Sequence, residues 1–223
     1  MPRQGRIVVA GELFHVTQRG NYKQRIFEDD IDRTYYLKLF EGYKNKYGLE
    51  LFAFCLMDNH VHFIVRPQQI NSLAQTICRT HQRYAYYFHK KKEIRGHLWQ
   101  ERFYSCLLYG QHILHALRYV ERNPVRANIV SQPWDYSWSS TRAHLGTKYN
   151  IITLSDPMCF IEHPTWKEFI SEAENELSIQ RLRQKTFGDS VLGSQEDIAR
   201  LEQTLGRRIT PAPKGKRAKP KPL

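Results

Sequence analysis

Two histidines separated by one residue, His60-Val61-His62, open the apolar stretch from His60 to Arg66. Val61, Phe63, Ile64 and Val65 make that stretch read as a β-strand. Successive strand side chains alternate faces, so the two imidazoles point one way and Val61 the other. Two imidazoles on one face can hold a divalent ion between them. A single His-x-His among 10 histidines is more often structural, so the tripeptide alone leaves both readings open. A second polar set follows Gly110, where Ile113, Leu114, Leu117 and Val120 recur at helical spacing. At ~100° per residue, His112, His115, Tyr119 and Asn123 form a polar stripe beside that apolar face. Tyr119 and Asn123 are four apart and therefore neighbours on the helix surface. A tyrosine hydroxyl beside a metal-bound phosphate can act as a nucleophile. Its proton, with an intrinsic pKa of about 10, must be removed by the metal or a neighbouring base. Without the histidines, Tyr119 would read as one of 13 tyrosines packed at a helix–sheet boundary.

The elements that must position these groups are legible from patterning. Leu13–Arg19 reads as a first strand, ended by Gly20-Asn21. Asp29–Tyr47 carries Ile31, Tyr35, Leu39 and Tyr43 at helical spacing and stops at Gly48. Leu49–Leu56 and His60–Arg66 form a hairpin across Met57-Asp58-Asn59. Ser72 and Gln75 predict a capping box for a helix to Lys92 with Leu73, Ile77, Tyr84 and Phe88 inward. Phe103–Tyr109 is a fourth strand, and Pro124 closes the next helix at or before Asn123. This order predicts an α+β, ferredoxin-like or RRM-like antiparallel sheet with helices on one face. Trp134, Tyr136 and Trp138 are expected to cover a flank of the core. Thr165–Ile179 and Gln195–Leu205 predict a helical C-terminal extension over residues 146–206, after a first domain of residues 1–145. Residues 207–223, rich in Pro, Lys and Arg, are expected to be disordered until an anion binds them.

Hydrophobic residues at 41% and charged residues at 25% fit a soluble globular protein. No apolar run approaches the ~18 residues of a membrane span, and no secretory leader is visible, so a cytoplasmic protein without membrane attachment is expected. Cys55, Cys78, Cys106 and Cys159 lack Cys-x-x-Cys spacing and are expected to be buried apolar fillers. The formal net charge is +12. Seven cations and no acid fall in residues 207–223, so over half of that excess sits in the tail. Such a distribution favours a polyanionic partner, nucleic acid above all.

Several longer stretches carry a family resemblance. These are Phe14-His15-Val16-Thr17-Gln18-Arg19-Gly20-Asn21, Met57-Asp58-Asn59-His60-Val61-His62 and Gly96-His97-Leu98-Trp99-Gln100-Glu101-Arg102-Phe103. Tyr119-Val120-Glu121-Arg122-Asn123-Pro124-Val125-Arg126-Ala127 and Asp135-Tyr136-Ser137-Trp138-Ser139-Ser140 complete the set. In this order the chain resembles the REP-associated tyrosine transposases, within the wider single-tyrosine HUH transposase group. The resemblance makes residues 1–145 the catalytic domain. It implies a single-strand DNA endonuclease and strand transferase acting at REP-type hairpins through a covalent 5′-phosphotyrosine. Tyr119 matches the nucleophile, His60 and His62 match the metal-binding pair, and Asn123 is the candidate third ligand, for Mg²⁺ or Mn²⁺. The partner implied is single-stranded or hairpin DNA, at the nucleoid. The cations expected to grip it are Arg19, Arg83, Lys90, Lys91, Lys92, Arg102, Arg118, Arg122, Arg126, Arg207, Arg208, Lys214, Lys216 and Arg217. The resemblance favours a monomer, with a dimer exchanging the tyrosine helix as the other arrangement. The competing reading is a catalytically silent, RRM-like nucleic-acid-binding protein or repressor, which predicts basic charge but no tyrosine placed against the histidines.

Overall fold

The structure, a computed structural model, describes residues 6–147, 150–161, 163 and 165–209. β1 (Leu13–Arg19), α1 (Asp30–Tyr47), β2 (Leu49–Met57), β3 (His60–Pro67), α2 (Ser72–Lys92) and β4 (Tyr104–Leu108) form the expected split βαβ unit. Then come α3 (Gln111–Glu121), α4 (Asn123–Arg126), α5 (Thr141–His144), α6 (Trp166–Ser171), α7 (Glu176–Phe187), β5 (Val191–Leu192) and α8 (Gln195–Leu205). The sheet order is β2-β3-β1-β4-β5, antiparallel except for the parallel β4–β5 pair. No helix among the described residues is long and apolar enough to cross a membrane.

Helix α1 starts where the Asp29 side chain accepts a hydrogen bond from Asp32 N and ends at Gly48, whose φ of 65° needs a residue without a β-carbon. Its stripe on the sheet is Tyr36, Leu37 and Phe40, with Phe40 stacked on Phe63 of β3 at 4.4 Å. The expected stripe is displaced. Tyr35 instead packs on Tyr87 of α2 at 4.3 Å, and Ile31 is exposed. Two apolar stripes run along this helix, one for the sheet and one for α2. In α2, Leu73, Ile77, Tyr84 and Phe88 are all buried as expected. There is no capping box: the Ser72 hydroxyl accepts from Gln69 N instead.

The sheet carries helices on both faces, not on one. α1 and α2 cover the first, and Ala116, Leu117 and Val120 of α3 pack with Ala53, Cys55 and Ile64 on the second. Trp166, Phe169 and Ile170 around α6, with Ile179 and Leu182 of α7, extend that second core. The helix expected over Thr165–Ile179 is broken into α6 and α7. Residues beyond 145 thus complete the same core rather than form a separate one. Tyr136 donates to Leu56 O at 2.7 Å and Trp138 to Asp30 at 2.9 Å, so this aromatic run does cover a flank. The outer edge of β2 is occupied by Leu56 N to Trp138 O, Ser140 N to Phe54 O and Ser155 N to Leu51 O. Of the cysteines, Cys55 and Cys106 are buried fillers, whereas Cys78 and Cys159 are exposed.

Candidate active site

Register decides which side chains meet. His60 and His62 of β3 lie opposite Arg19 and Thr17 of β1, and Thr17 lies opposite Tyr104 of β4. The two-residue period puts all five on the α3 face of the sheet, with His15 behind Thr17. Helix α3 brings Tyr119 onto this face, and its ring lies 5.5 Å from that of His62 and 5.6 Å from that of His15, edge to face in both cases. The tyrosine and the histidine pair therefore meet within one chain. Around them is a cleft of about 390 Å³ that also includes Gln18, Gln100, Asn123, Arg126, Ala127, Arg183 and Phe187.

Hydrogen bonds fix how the imidazoles present their nitrogens. Thr186 Oγ1 donates to Leu182 O at 2.7 Å, so it accepts from His15 Nδ1 at 2.8 Å. His15 Nε2 then accepts from His62 Nδ1 at 2.9 Å, which leaves the His62 Nε2 lone pair free. His60 Nδ1 donates to Asn59 Oδ1 at 2.6 Å, with the same consequence at its own Nε2. Both rings of the pair, 5.0 Å apart, thus carry an unprotonated Nε2. Burial keeps them neutral. It pushes His15 down to about 3. His60 is pushed down to about 4 by burial, then by the charges of Arg19 and Arg183. His62 lies well below its ordinary value through burial, then through His60 and His15.

Asn123 is buried and its side-chain Nδ2 has no hydrogen-bond partner among the described residues. It opens α4, where Arg122 interrupts the tyrosine helix, so the expected stripe is not continuous. Only Tyr119 and Asn123 of that stripe reach the cleft; His112 and His115 do not line it. Arg126 lies 4.1 Å from the Tyr119 ring centroid, and Arg183 Nε donates to Tyr119 Oη at 3.3 Å.

The expected DNA-gripping cations do not share one environment. Arg19 lines the cleft, and its side chain has no hydrogen bond or ion pair with the described residues. Arg83 and Lys90 are exposed on α2, away from the cleft lining. Lys91 is paired with Asp29 and Asp32, Lys92 with Glu28, and Arg102 with Asp189. Arg118 departs from the expectation outright: it is buried, donating to Phe169 O and Glu172, and ties α3 to the segment around α6. Arg122 donates to Ile170 O and pairs with Glu174, which also binds Arg126 at 2.5 Å. These three arginines are internal clamps because the C-terminal segment supplies their carboxylates and carbonyls. Arg207 donates to Arg6 O and Arg208 is exposed, while Lys214, Lys216 and Arg217 lie outside the described residues. Four contributors escaped the sequence reading: His15, Arg183, Thr186 and Phe187. For His15 a signal existed, since it shares strand parity with Thr17 and Arg19; the other three belong to a helix whose docking no local pattern reveals.

Chemically, a phenol and two lone-pair imidazoles in a cationic cleft suit phosphoryl transfer. A family model described as "Transposase IS200 like" matches residues 9–123, just over half of the chain, and the chain belongs to that family. One solved structure, described as a REP-associated tyrosine transposase bound to a REP hairpin, shares 16% identity at a TM-score of 0.52 and covers 74% of this chain and 96% of its own. At that identity the likeness concerns the fold. A putative transposase from Deinococcus radiodurans is 20% identical, covers 57% of this chain and 95% of its own, and superposes at a TM-score of 0.38. No curated protein matches the sequence significantly.

Proposed function

We propose that this chain is a single-strand DNA endonuclease and strand transferase that acts at REP-type hairpins through a covalent phosphotyrosine. The observation that carries the reading is the meeting of Tyr119 with His60 and His62 in one cationic cleft of one chain. A hairpin-bound structural neighbour with this fold supports the choice of substrate. The donor set fits a divalent ion: two Nε2 lone pairs, plus the amide of Asn123, which has a buried atom without a partner and can turn its oxygen inward. Among the described residues no three or more His, Cys, Asp or Glu side chains are placed to hold one metal ion together, so water and phosphate oxygens would fill the remaining positions. Bound there, Mg²⁺ or Mn²⁺ would supply charge stabilisation at the scissile phosphate.

The protein's own groups do the rest. Arg19 holds a non-bridging phosphate oxygen or the next phosphate. Tyr119 Oη gives up its proton to water and attacks phosphorus in line; the bond to the 3′ oxygen breaks, and that oxygen takes a proton from water and leaves as a hydroxyl. A 5′-phosphotyrosine results, and the reverse attack by a 3′-hydroxyl rejoins strands without an external energy source. The test uses a labelled single-stranded DNA pool carrying a stem-loop with randomised arms, incubated with the full chain and Mn²⁺. An adduct should survive denaturing electrophoresis and map to residue 119. Tyr119→Phe, which keeps the ring, should abolish it while native-gel binding persists. His60→Ala and His62→Ala should bind DNA without forming an adduct. A wild-type chain that binds the pool but never forms an adduct would establish the silent binding protein instead.

A further inference from the structure

Helix α7 lies outside residues 9–123, yet Arg183, Thr186 and Phe187 all reach the site from it. Its docking is firm. Ile179 and Leu182 are buried in the second core, and Thr186 is bonded to His15 of β1. Arg183 follows Leu182 and lies on the flank that faces α3. There its Nε donates to Tyr119 Oη at 3.3 Å, with the guanidinium carbon 5.6 Å from the ring centroid. This contact is longer than the ~2.9–3.0 Å of an optimal N–H···O bond, as is common in catalytic sites before substrate arrives.

Two arginines thus flank the tyrosine, but they are not equivalent. Arg126 sits over the ring face, donates to the backbone oxygen of Tyr119, and is held by both oxygens of Glu174. Its charge is largely offset and none of its donors reaches the phenolic oxygen. Arg183 makes no ion pair with a carboxylate of the described residues, and its donor is aimed at the one atom that would change bonding.

We propose that Arg183 is a catalytic residue: it orients Tyr119 Oη and offsets the negative charge that the oxygen carries as it enters or leaves the bond to phosphorus. The inference rests on Tyr119 being the nucleophile. In the forward step the phenolic proton goes to water, the Oη–P bond forms, and the P–O3′ bond breaks with the 3′ oxygen taking a proton. In the reverse step a 3′-hydroxyl gives its proton to water and attacks, the P–O3′ bond forms, and the Oη–P bond breaks with Tyr119 departing as a phenolate facing the guanidinium. One residue therefore assists both directions, and the segment beyond the family match completes the active site.

The test measures single-turnover adduct formation, and its reversal by an added 3′-hydroxyl strand, on the stem-loop pool with Mn²⁺. Arg183→Ala in the full chain should slow both by about 10²-fold, the usual effect of removing one preorganised donor to a developing oxyanion. The melting midpoint should stay near wild type, because Arg183 is exposed, and rates are read at saturating protein so that a weaker grip on DNA does not pass for a slower chemical step. Added guanidinium ion should restore part of the rate to Arg183→Ala and none to Tyr119→Phe. Arg183→Lys, which keeps the charge but not the fork, should fall between. A wild-type rate in Arg183→Ala, or a loss that guanidinium does not relieve, overturns the proposal while the wild-type adduct at residue 119 still stands. If the wild-type chain forms no adduct at residue 119, the nucleophile assignment itself has failed.

Discussion

Replacing Thr186 with valine would test how the protein presents a lone pair to the cleft. Valine keeps the shape of threonine and removes only the hydroxyl that accepts from His15 Nδ1 at 2.8 Å. His15 is 1% exposed, so no water replaces the lost partner. Leaving a buried donor unsatisfied costs about 1–3 kcal/mol. The ring can escape only by moving its proton to Nε2. His62 Nδ1 must then accept, and the His62 proton moves to the Nε2 that faces the cleft. Either way a ligand nitrogen is lost or made costly. Removing such an outer partner typically lowers metal affinity by about 10–100-fold, equivalent to about 1.4–2.8 kcal/mol. Titrating the full chain with Mn²⁺ and following the free-ion EPR signal reads this directly. Thr186→Ser, which restores the acceptor, should recover most of the affinity. In a chain of this size, a destabilisation of ~1–2 kcal/mol should lower the melting midpoint by roughly 2–8 °C. If Thr186→Val binds Mn²⁺ like wild type while its melting point drops, the relay is packing alone and the tautomer argument is wrong.

Burial pushes His81 down to about 3, and its Nε2 shares a hydrogen bond with Tyr36 OH at 2.9 Å. It stays neutral in the fold while the unfolded chain protonates near ~6.5, so its contribution is present above that pH and lost as pH falls toward 3: about 2 kcal/mol at pH 5, visible as a flatter pH–stability curve in His81→Gln. Arg19→Ala should weaken DNA binding and reduce the slope of log affinity against log salt by about 1, with no change in melting point. Arg118→Ala should do the opposite, destabilising the fold by about 1.5–3 kcal/mol in urea melts, chiefly because Phe169 O loses its guanidinium donor while the half-exposed Glu172 is resolvated. Phe187, 59% exposed at the cleft and edge-on to Tyr104, offers a face to an unpaired base; Phe187→Ala should cost about 1–3 kcal/mol of single-strand affinity in fluorescence anisotropy.

Parity and periodicity made much of this architecture legible. His60-Val61-His62 specified a shared face without any tertiary information, and the spacing from Gly110 to Asn123 put Tyr119 beside an apolar stripe. The second layer of helices left a weaker trace. Leu51–Met57 is an unbroken apolar run rather than an alternating one, the pattern of a strand buried on both faces. That run was evidence against an open second face. The partners of the arginines could not be read at all. Arg118, Arg122 and Arg126 look like DNA contacts until Glu172 and Glu174 are folded back onto them from about 50 residues away. Charge alone cannot distinguish a solvated cation from a clamp.

The covered margins of the sheet limit how copies of this chain can associate. Strand β2 has its outward amides and carbonyls occupied by residues 138–140 and 155, and the opposite margin ends in the two-residue β5. A sheet closed in this way offers no long template for strand addition. Two copies cannot fuse their sheets across β2 without first peeling away the Trp138–Ser140 segment, together with the Tyr136 bond to Leu56 O that anchors it. Partial unfolding at either margin is thus the step that would expose a sticky edge. Substitutions at Tyr136 or Ser140 should show their effect as aggregation on heating before any loss of the cleft becomes visible.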